Sequence, residues 1–127
     1  MSLDIRGGLP AAWVDRRQLT AALLNVAANA RDAMLHGGRF TVRAYSEDGR
    51  WIRIDMTDEG CGMAPEVLAH AIEPFYSTKA VGHGSGLGLS MVEGFATQSG
   101  GSLALVSELN RGTTVSLWLP TAGAFHD

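Results

Sequence analysis

Apolar and polar positions recur along this chain with two different periods. Over 17–35, Leu19, Leu23, Val26, Ala27, Ala30 and Met34 fall three and four residues apart, the spacing of an amphipathic helix. Gly37-Gly38 ends that pattern. The period then becomes two. Phe40, Val42 and Ala44 alternate over 39–46, and over 51–57 Trp51, Arg53 and Asp55 oppose Ile52, Ile54 and Met56. Glu47-Asp48-Gly49 reads as the turn of a hairpin joining these two strands. A short helix is expected over 65–72, a glycine-containing loop over 76–86, and another helix over 88–98, closed by Gly100-Gly101. Strands at 102–106 and 113–119, with a turn at Asn110-Arg111-Gly112, make a second hairpin, and the apolar run Ala11-Ala12-Trp13-Val14 predicts one more strand near the N-terminus. The order predicts an α/β two-layer sandwich: a mixed, mostly antiparallel sheet of about five strands packed on three helices.

Composition narrows the classes of function. The 127 residues form one domain of ordinary size, 46% hydrophobic and 18% charged. The net charge is −3, and no cluster of Lys and Arg makes an electrostatic case for nucleic acid or an anionic membrane. Cys61 is the only cysteine, so no internal disulfide forms. His36, His70, His83 and His126 show no metal-ligand spacing. No apolar run approaches the length of a membrane span, and the expected compartment is cytoplasmic. The opening Met1-Ser2-Leu3 also fits a vector-derived leader.

Three stretches carry candidate chemistry. Asn25 and Asn29 are four apart on the first helix, so their amides share a face beside small alanines. Amide oxygens are hard ligands that suit Mg²⁺; taken alone, two core-bonded or solvent-facing amides are the plainer reading. Asp58-Glu59-Gly60-Cys61-Gly62 follows a strand. An ionised carboxylate only accepts hydrogen bonds, so it suits the amino group of adenine and rejects the carbonyl of guanine; alone, the stretch reads as an ordinary turn. Gly82-His83-Gly84-Ser85-Gly86-Leu87-Gly88-Leu89-Ser90 leads from a loop into a helix. Its glycines admit close approach, and the helix start offers free N–H groups to an anion such as a triphosphate. The other reading is a flexible linker. It lacks the Gly-Lys-Ser/Thr ending of a P-loop.

The order of these stretches is more specific than any one of them. The asparagine helix is followed by Asp-x-Gly-x-Gly, then Glu73-Pro74-Phe75-Tyr76-Ser77-Thr78-Lys79, then the glycine loop with its Gly-Leu-Gly-Leu-Ser ending, then Arg111-Gly112-Thr113-Thr114-Val115. In this order the chain resembles the Bergerat-fold (GHKL, HATPase_c) ATPases, which include histidine kinases, gyrase, mismatch-repair ATPases and heat-shock chaperones. The resemblance spans about 13–120. The 73–79 stretch and the Gly-Leu-Gly-Leu-Ser ending resemble the catalytic ATP-binding domain of two-component sensor histidine kinases. The run from Asn29 to Met34 resembles the nitrogen-regulator and hybrid-sensor subgroups.

The resemblance implies a site. Asn29, helped by Asn25, would hold Mg²⁺. Asp58 would take the adenine amino group, Gly60 and Gly62 would let the base lie close, and Thr113 would support Asp58 or an adenine-bound water. Lys79 with Gly84, Gly86, Leu87 and Gly88 would close over the phosphates as a lid, and Phe75 would be an anchor or a core residue. The implied catalytic set is Asn25, Asn29 and Lys79, with ATP and Mg²⁺ as cofactors. Two positions depart from related patterns. Hydrolysing members carry a Glu where Asn25 stands, and an amide cannot act as a general base. Some kinases carry a Lys where Asp32 stands, so Asp32 is expected to act through a water or to pair with Arg31 or another cation. None of the four histidines sits in the helical His-Glu or His-Asp context of family acceptors. The resemblance therefore implies a single domain over 1–127 that phosphorylates a histidine on a separate dimerisation domain, upstream in a longer parent that is itself membrane-anchored or not. A response-regulator receiver domain would act downstream. No nucleic acid partner and no direct membrane contact are expected, and the isolated chain should be monomeric.

Overall fold

The structure is a computed structural model that describes residues 2–5, 15–34, 37–69 and 88–121. Among these residues five strands and three helices follow one another: β1 Ser2–Ile5, α1 Arg16–Ala33, β2 Phe40–Glu47, β3 Trp51–Asp58, α2 Pro65–Leu68, α3 Gly88–Gln98, β4 Ser102–Glu108 and β5 Gly112–Pro120. They form one sheet in the order β1-β2-β3-β5-β4. The two expected hairpins, β2–β3 and β4–β5, lie side by side through an antiparallel β3–β5 ladder, while β1 pairs with β2 in parallel.

The α/β sandwich and its mostly antiparallel sheet match the sequence expectation. The differences lie at the ends of elements. β3 and β4 extend beyond the apolar alternation because polar residues at their ends still pair in the ladder, Asp58 and Ser107 both opposite Thr113, and β5 gains Gly112 opposite Glu108 and Pro120 opposite Trp51. The expected strand at 11–14 lies outside the described residues. Among the described residues the strand beside β2 is Ser2–Ile5, with Ser2 and Leu3 opposite Thr41 and Val42. The second helix begins at Pro65 as expected and is described to Leu68.

Helix α1 starts where Asp15, with extended backbone, accepts hydrogen bonds through Oδ1 from Arg17 N (2.8 Å) and Gln18 N (3.3 Å). Such a cap contributes about 1 kcal/mol. The helix buries Ala22, Val26 and Ala30, one residue per turn, against the sheet and α3. Helix α3 buries Val92, Phe95 and Ala96. The facing side of the sheet contributes Ile52, Ile54, Met56, Val115, Leu117 and Leu119. Burying side chains of this size contributes roughly 1.5–3 kcal/mol each, as an upper estimate.

Candidate functional site at the end of strand β3

Cross-strand register arranges the helix-facing side of the sheet in rows. One row is Ala44, Ile54, Leu117 and Leu103, and the next is Val42, Met56, Val115 and Leu105. The last row is Phe40, Asp58, Thr113 and Ser107. An apolar surface thus turns polar in its final row. Asp58 is 9% exposed and continues the alternation that buries Ile52, Ile54 and Met56.

A buried carboxylate must be hydrogen-bonded. Asp58 Oδ1 accepts from Gly60 N at 2.9 Å and from Thr113 N at 3.2 Å. Both bonds fall on Oδ1, and among the described residues no buried side-chain oxygen lacks a partner. Oδ2 takes no part in these two bonds and is the oxygen left as the candidate acceptor for a ligand. The Thr113 hydroxyl lies 2.7 Å from Ser107 Oγ. Ser107 Oγ also accepts from Met63 N at 2.8 Å and donates to the Gly112 carbonyl at 3.1 Å.

The loop after Asp58 is latched at both ends. Cys61 N donates to the Ala33 carbonyl at the end of α1, 3.1 Å away, and the Cys61 carbonyl accepts from Asn110 N at 2.7 Å. Glu59 Oε1 accepts from Arg39 N at 2.8 Å. Gly60 lies so close to α1 that a Cβ there would sit 2.7 Å from the Cβ and carbonyl oxygen of Ala33. Gly62 has φ +66°, and a Cβ there would run into the Glu108 carbonyl. The fold's own packing accounts for both glycines.

Ala33 is four residues beyond Asn29 and eight beyond Asn25, so the three share one helical stripe. Both asparagines are half-buried. The latch at Ala33 thus puts the Asp58 loop about one turn, or roughly 6 Å, along the axis from Asn29. Asp32 lies 3.7 Å from Arg31, its exposed neighbour, a pairing of little energetic weight. Gly88 is the first residue of α3. Lys79, Gly84, Gly86 and Leu87, with Phe75, lie outside the described residues. Among the described residues no group of three or more His, Cys, Asp or Glu could hold a metal. The sequence reading missed Ser107, because a serine on a strand carries no signal until its cross-strand neighbours are known.

The two-layer α/β fold places the Asp58 carboxylate at the end of β3 and ties the loop after it to the asparagine-bearing helix α1, and its family is one of ATPases. Residues 14–123 match the histidine kinase-, DNA gyrase B- and HSP90-like ATPase family, and the chain belongs to it. Among its relatives is the sensor kinase CckA of Brucella abortus, 38% identical over 120 residues, which cover 84% of this chain and 13% of that protein. The sensor histidine kinase ZraS of Escherichia coli K12 is 39% identical over 112 residues, covering 88% of this chain and 23% of that protein. The chain therefore spans under a quarter of either relative. Among solved structures, full-length ShkA in complex with AMPPNP superposes with a TM-score of 0.81 at 30% identity, covering 95% of this chain and 26% of that one. The mycobacterial sensor histidine kinase MprB superposes at 0.76 with 30% identity, covering 94% of this chain and 81% of that one.

Proposed function

We propose that this chain binds ATP with Mg²⁺ and directs the γ-phosphoryl group to a histidine carried on a separate acceptor domain of the same parent, within two-component signalling. The observation that carries the reading is the latch from Cys61 N to the Ala33 carbonyl, which holds the Asp58 loop against the asparagine stripe. In this reading it would bring the nucleobase acceptor Asp58 and the amide oxygens of Asn25 and Asn29 to one edge of the fold. Asp58 Oδ2 would accept from the adenine amino group, with Gly60, Gly62 and Thr113 shaping its surroundings.

The donor chemistry fits magnesium. Mg²⁺ takes few protein ligands and keeps water and phosphate oxygens around it, so Asn25 and Asn29, without a carboxylate cluster, would be enough to hold it. When bound, it would neutralise phosphate charge. The remaining tasks belong to the chain: Lys79, Gly84, Gly86, Leu87 and Gly88 would surround the phosphates. Phosphoryl transfer asks a protein chiefly for positioning and charge stabilisation. A bond from the γ-phosphorus to an imidazole nitrogen would form as the bond to the bridging oxygen of ADP breaks. Asn25 supports transfer over hydrolysis, since an amide cannot take a proton from water. The acceptor histidine and a downstream receiver domain would both lie on other domains. Among the described residues no helix is long and apolar enough to cross a membrane.

Labelled ATP, this chain and a purified acceptor-helix domain test the reading together. Label on the acceptor histidine, dependent on this chain, is the expected result. Phosphate release without acceptor, well above background, would identify a hydrolase instead, and no binding of an ATP analogue with Mg²⁺ at millimolar concentration would leave a docking module.

A further inference from the structure

We propose that Ser107 is a positioning residue for the nucleobase: it fixes the direction in which the Thr113 hydroxyl offers its proton, and so helps set the preference for adenine over guanine. The inference rests on the ATP-binding reading and assigns a task to a residue outside the motif positions. Ser107 sits on β4, the edge strand, yet its hydroxyl joins three segments around Asp58. It accepts from Met63 N in the loop after Asp58, donates to the Gly112 carbonyl, and meets the Thr113 hydroxyl at 2.7 Å. Thr113 in turn gives its N–H to Asp58 Oδ1.

A serine hydroxyl has one proton and two lone pairs. Ser107 Oγ is placed to donate to the Gly112 carbonyl, which can only accept; with that proton spent, Thr113 becomes the donor in its contact with Ser107, where the distance alone allows either direction. The two lone pairs then accept from Met63 N–H and from the Thr113 hydroxyl. This arrangement satisfies Ser107 completely and consumes the proton of Thr113. Thr113 Oγ1 is left as an acceptor on the same row as Asp58. Two acceptors side by side, Asp58 Oδ2 and Thr113 Oγ1, suit a base edge rich in donors, or a water that gives one hydrogen to Thr113 and the other to a ring nitrogen. Adenine offers an amino group beside an unprotonated ring nitrogen and fits both. Guanine sets a carbonyl against the carboxylate, and Thr113, its proton held inward, cannot offer that carbonyl a hydrogen.

Without the Ser107 hydroxyl, the Thr113 proton is free to turn towards the site, and Met63 N–H loses its acceptor. Ser107→Ala should therefore raise the dissociation constant for ATP about tenfold, raise that for GTP less, and so reduce the ATP-to-GTP preference. Ser107→Thr, which keeps the hydroxyl, should restore the preference. The measurement is calorimetric titration of the whole chain with non-hydrolysable ATP and GTP analogues at fixed Mg²⁺, alongside thermal midpoints. A residue that only braced the hairpin would lower the midpoint and weaken both nucleotides equally; that result, or an unchanged preference in Ser107→Ala, overturns the proposal. If Ser107→Ala does not fold, Ser107→Cys, similar in shape but a poorer hydrogen-bonding group, carries the test: an intermediate preference supports the proposal and the wild-type preference overturns it. Wild-type chain that fails to bind the ATP analogue overturns the ATP reading and this inference together, whereas normal wild-type binding with unshifted variants overturns the Ser107 role alone.

Discussion

The backbone N–H of Cys61 and the carbonyl of Ala33 are hydrogen-bonded across 3.1 Å, so the loop leaving β3 is tied to the last turn of α1. The two segments that the sequence singled out for different chemistry, an asparagine helix and an aspartate-glycine turn, are joined by this one bond and by the close approach of Gly60 to Ala33.

Asp58→Asn should leave the fold intact and weaken the adenine nucleotide. The remaining amide oxygen can still accept from Gly60 N and Thr113 N, but an NH₂ group replaces the second acceptor oxygen. A hydrogen bond to a charged group is worth about 1.5–3 kcal/mol, so affinity should fall by roughly ten- to a hundredfold. Calorimetry with an ATP analogue checks it, and unchanged affinity would exclude Asp58 from the base site.

Asn29→Ala should weaken nucleotide binding far more in the presence of Mg²⁺ than in EDTA. The amide oxygen is the suitable hard donor, so its loss should weigh most when the ion is there. Paired titrations with and without Mg²⁺ measure the difference; equal losses would remove Asn29 from a metal role.

Two glycines predict opposite outcomes. Gly62→Ala forces a side chain into φ +66° and against the Glu108 carbonyl, so it should cost more than about 1–3 kcal/mol and lower the yield of folded protein. Gly94 lies inside α3, and a Cβ there would meet nothing within 4 Å. Gly94→Ala should stabilise by about 0.4–1 kcal/mol, since alanine loses less backbone freedom in a helix. Urea melts of the two variants make the comparison, and destabilisation by Gly94→Ala would contradict the packing described.

On the sheet face away from the helices, Asp55 accepts from Ser116 Oγ (2.7 Å), Arg53 Nε (2.9 Å) and Tyr45 Oη (3.0 Å). Burial pushes its carboxyl up, but these bonds, with the charge of Arg53, outweigh burial and leave it below its ordinary value of 3.8. A carboxyl depressed in the folded state stabilises the fold above its unfolded value, and that contribution is lost as pH falls through the folded value. Asp55→Asn should therefore be less stable than wild type at neutral pH, with the gap narrowing as pH drops below 3.8. Denaturant melts at several pH values test this; a gap that widens in acid would contradict it.

Helix α1 and the two hairpins were legible because their apolar periods reflect burial on one face, and the glycine and Asp-Gly turns interrupt those periods locally. The alternation through Ile52, Ile54 and Met56 runs on to Asp58 in the structure, whereas the sequence pattern ended that strand at Thr57, because a carboxylate does not read as a buried-face residue. β1 was not legible: four residues pairing in parallel with a distant strand carry no local periodicity of their own. Ser107 was not legible either, since its partners Met63, Gly112 and Thr113 come from two other segments.

By itself the sequence determined the sandwich class, the elements that bury apolar faces, and the ordered motifs that mark the ATPase family, because each depends on spacing within one stretch of chain. Only the tertiary structure decided that β3 and β5 lie together, that the helix-facing sheet surface ends in the row of Asp58, Thr113 and Ser107, and that Gly60 packs on Ala33. Those relationships are set by cross-strand register and by helix-to-loop packing, which couple residues far apart along the chain and leave no periodic trace in it.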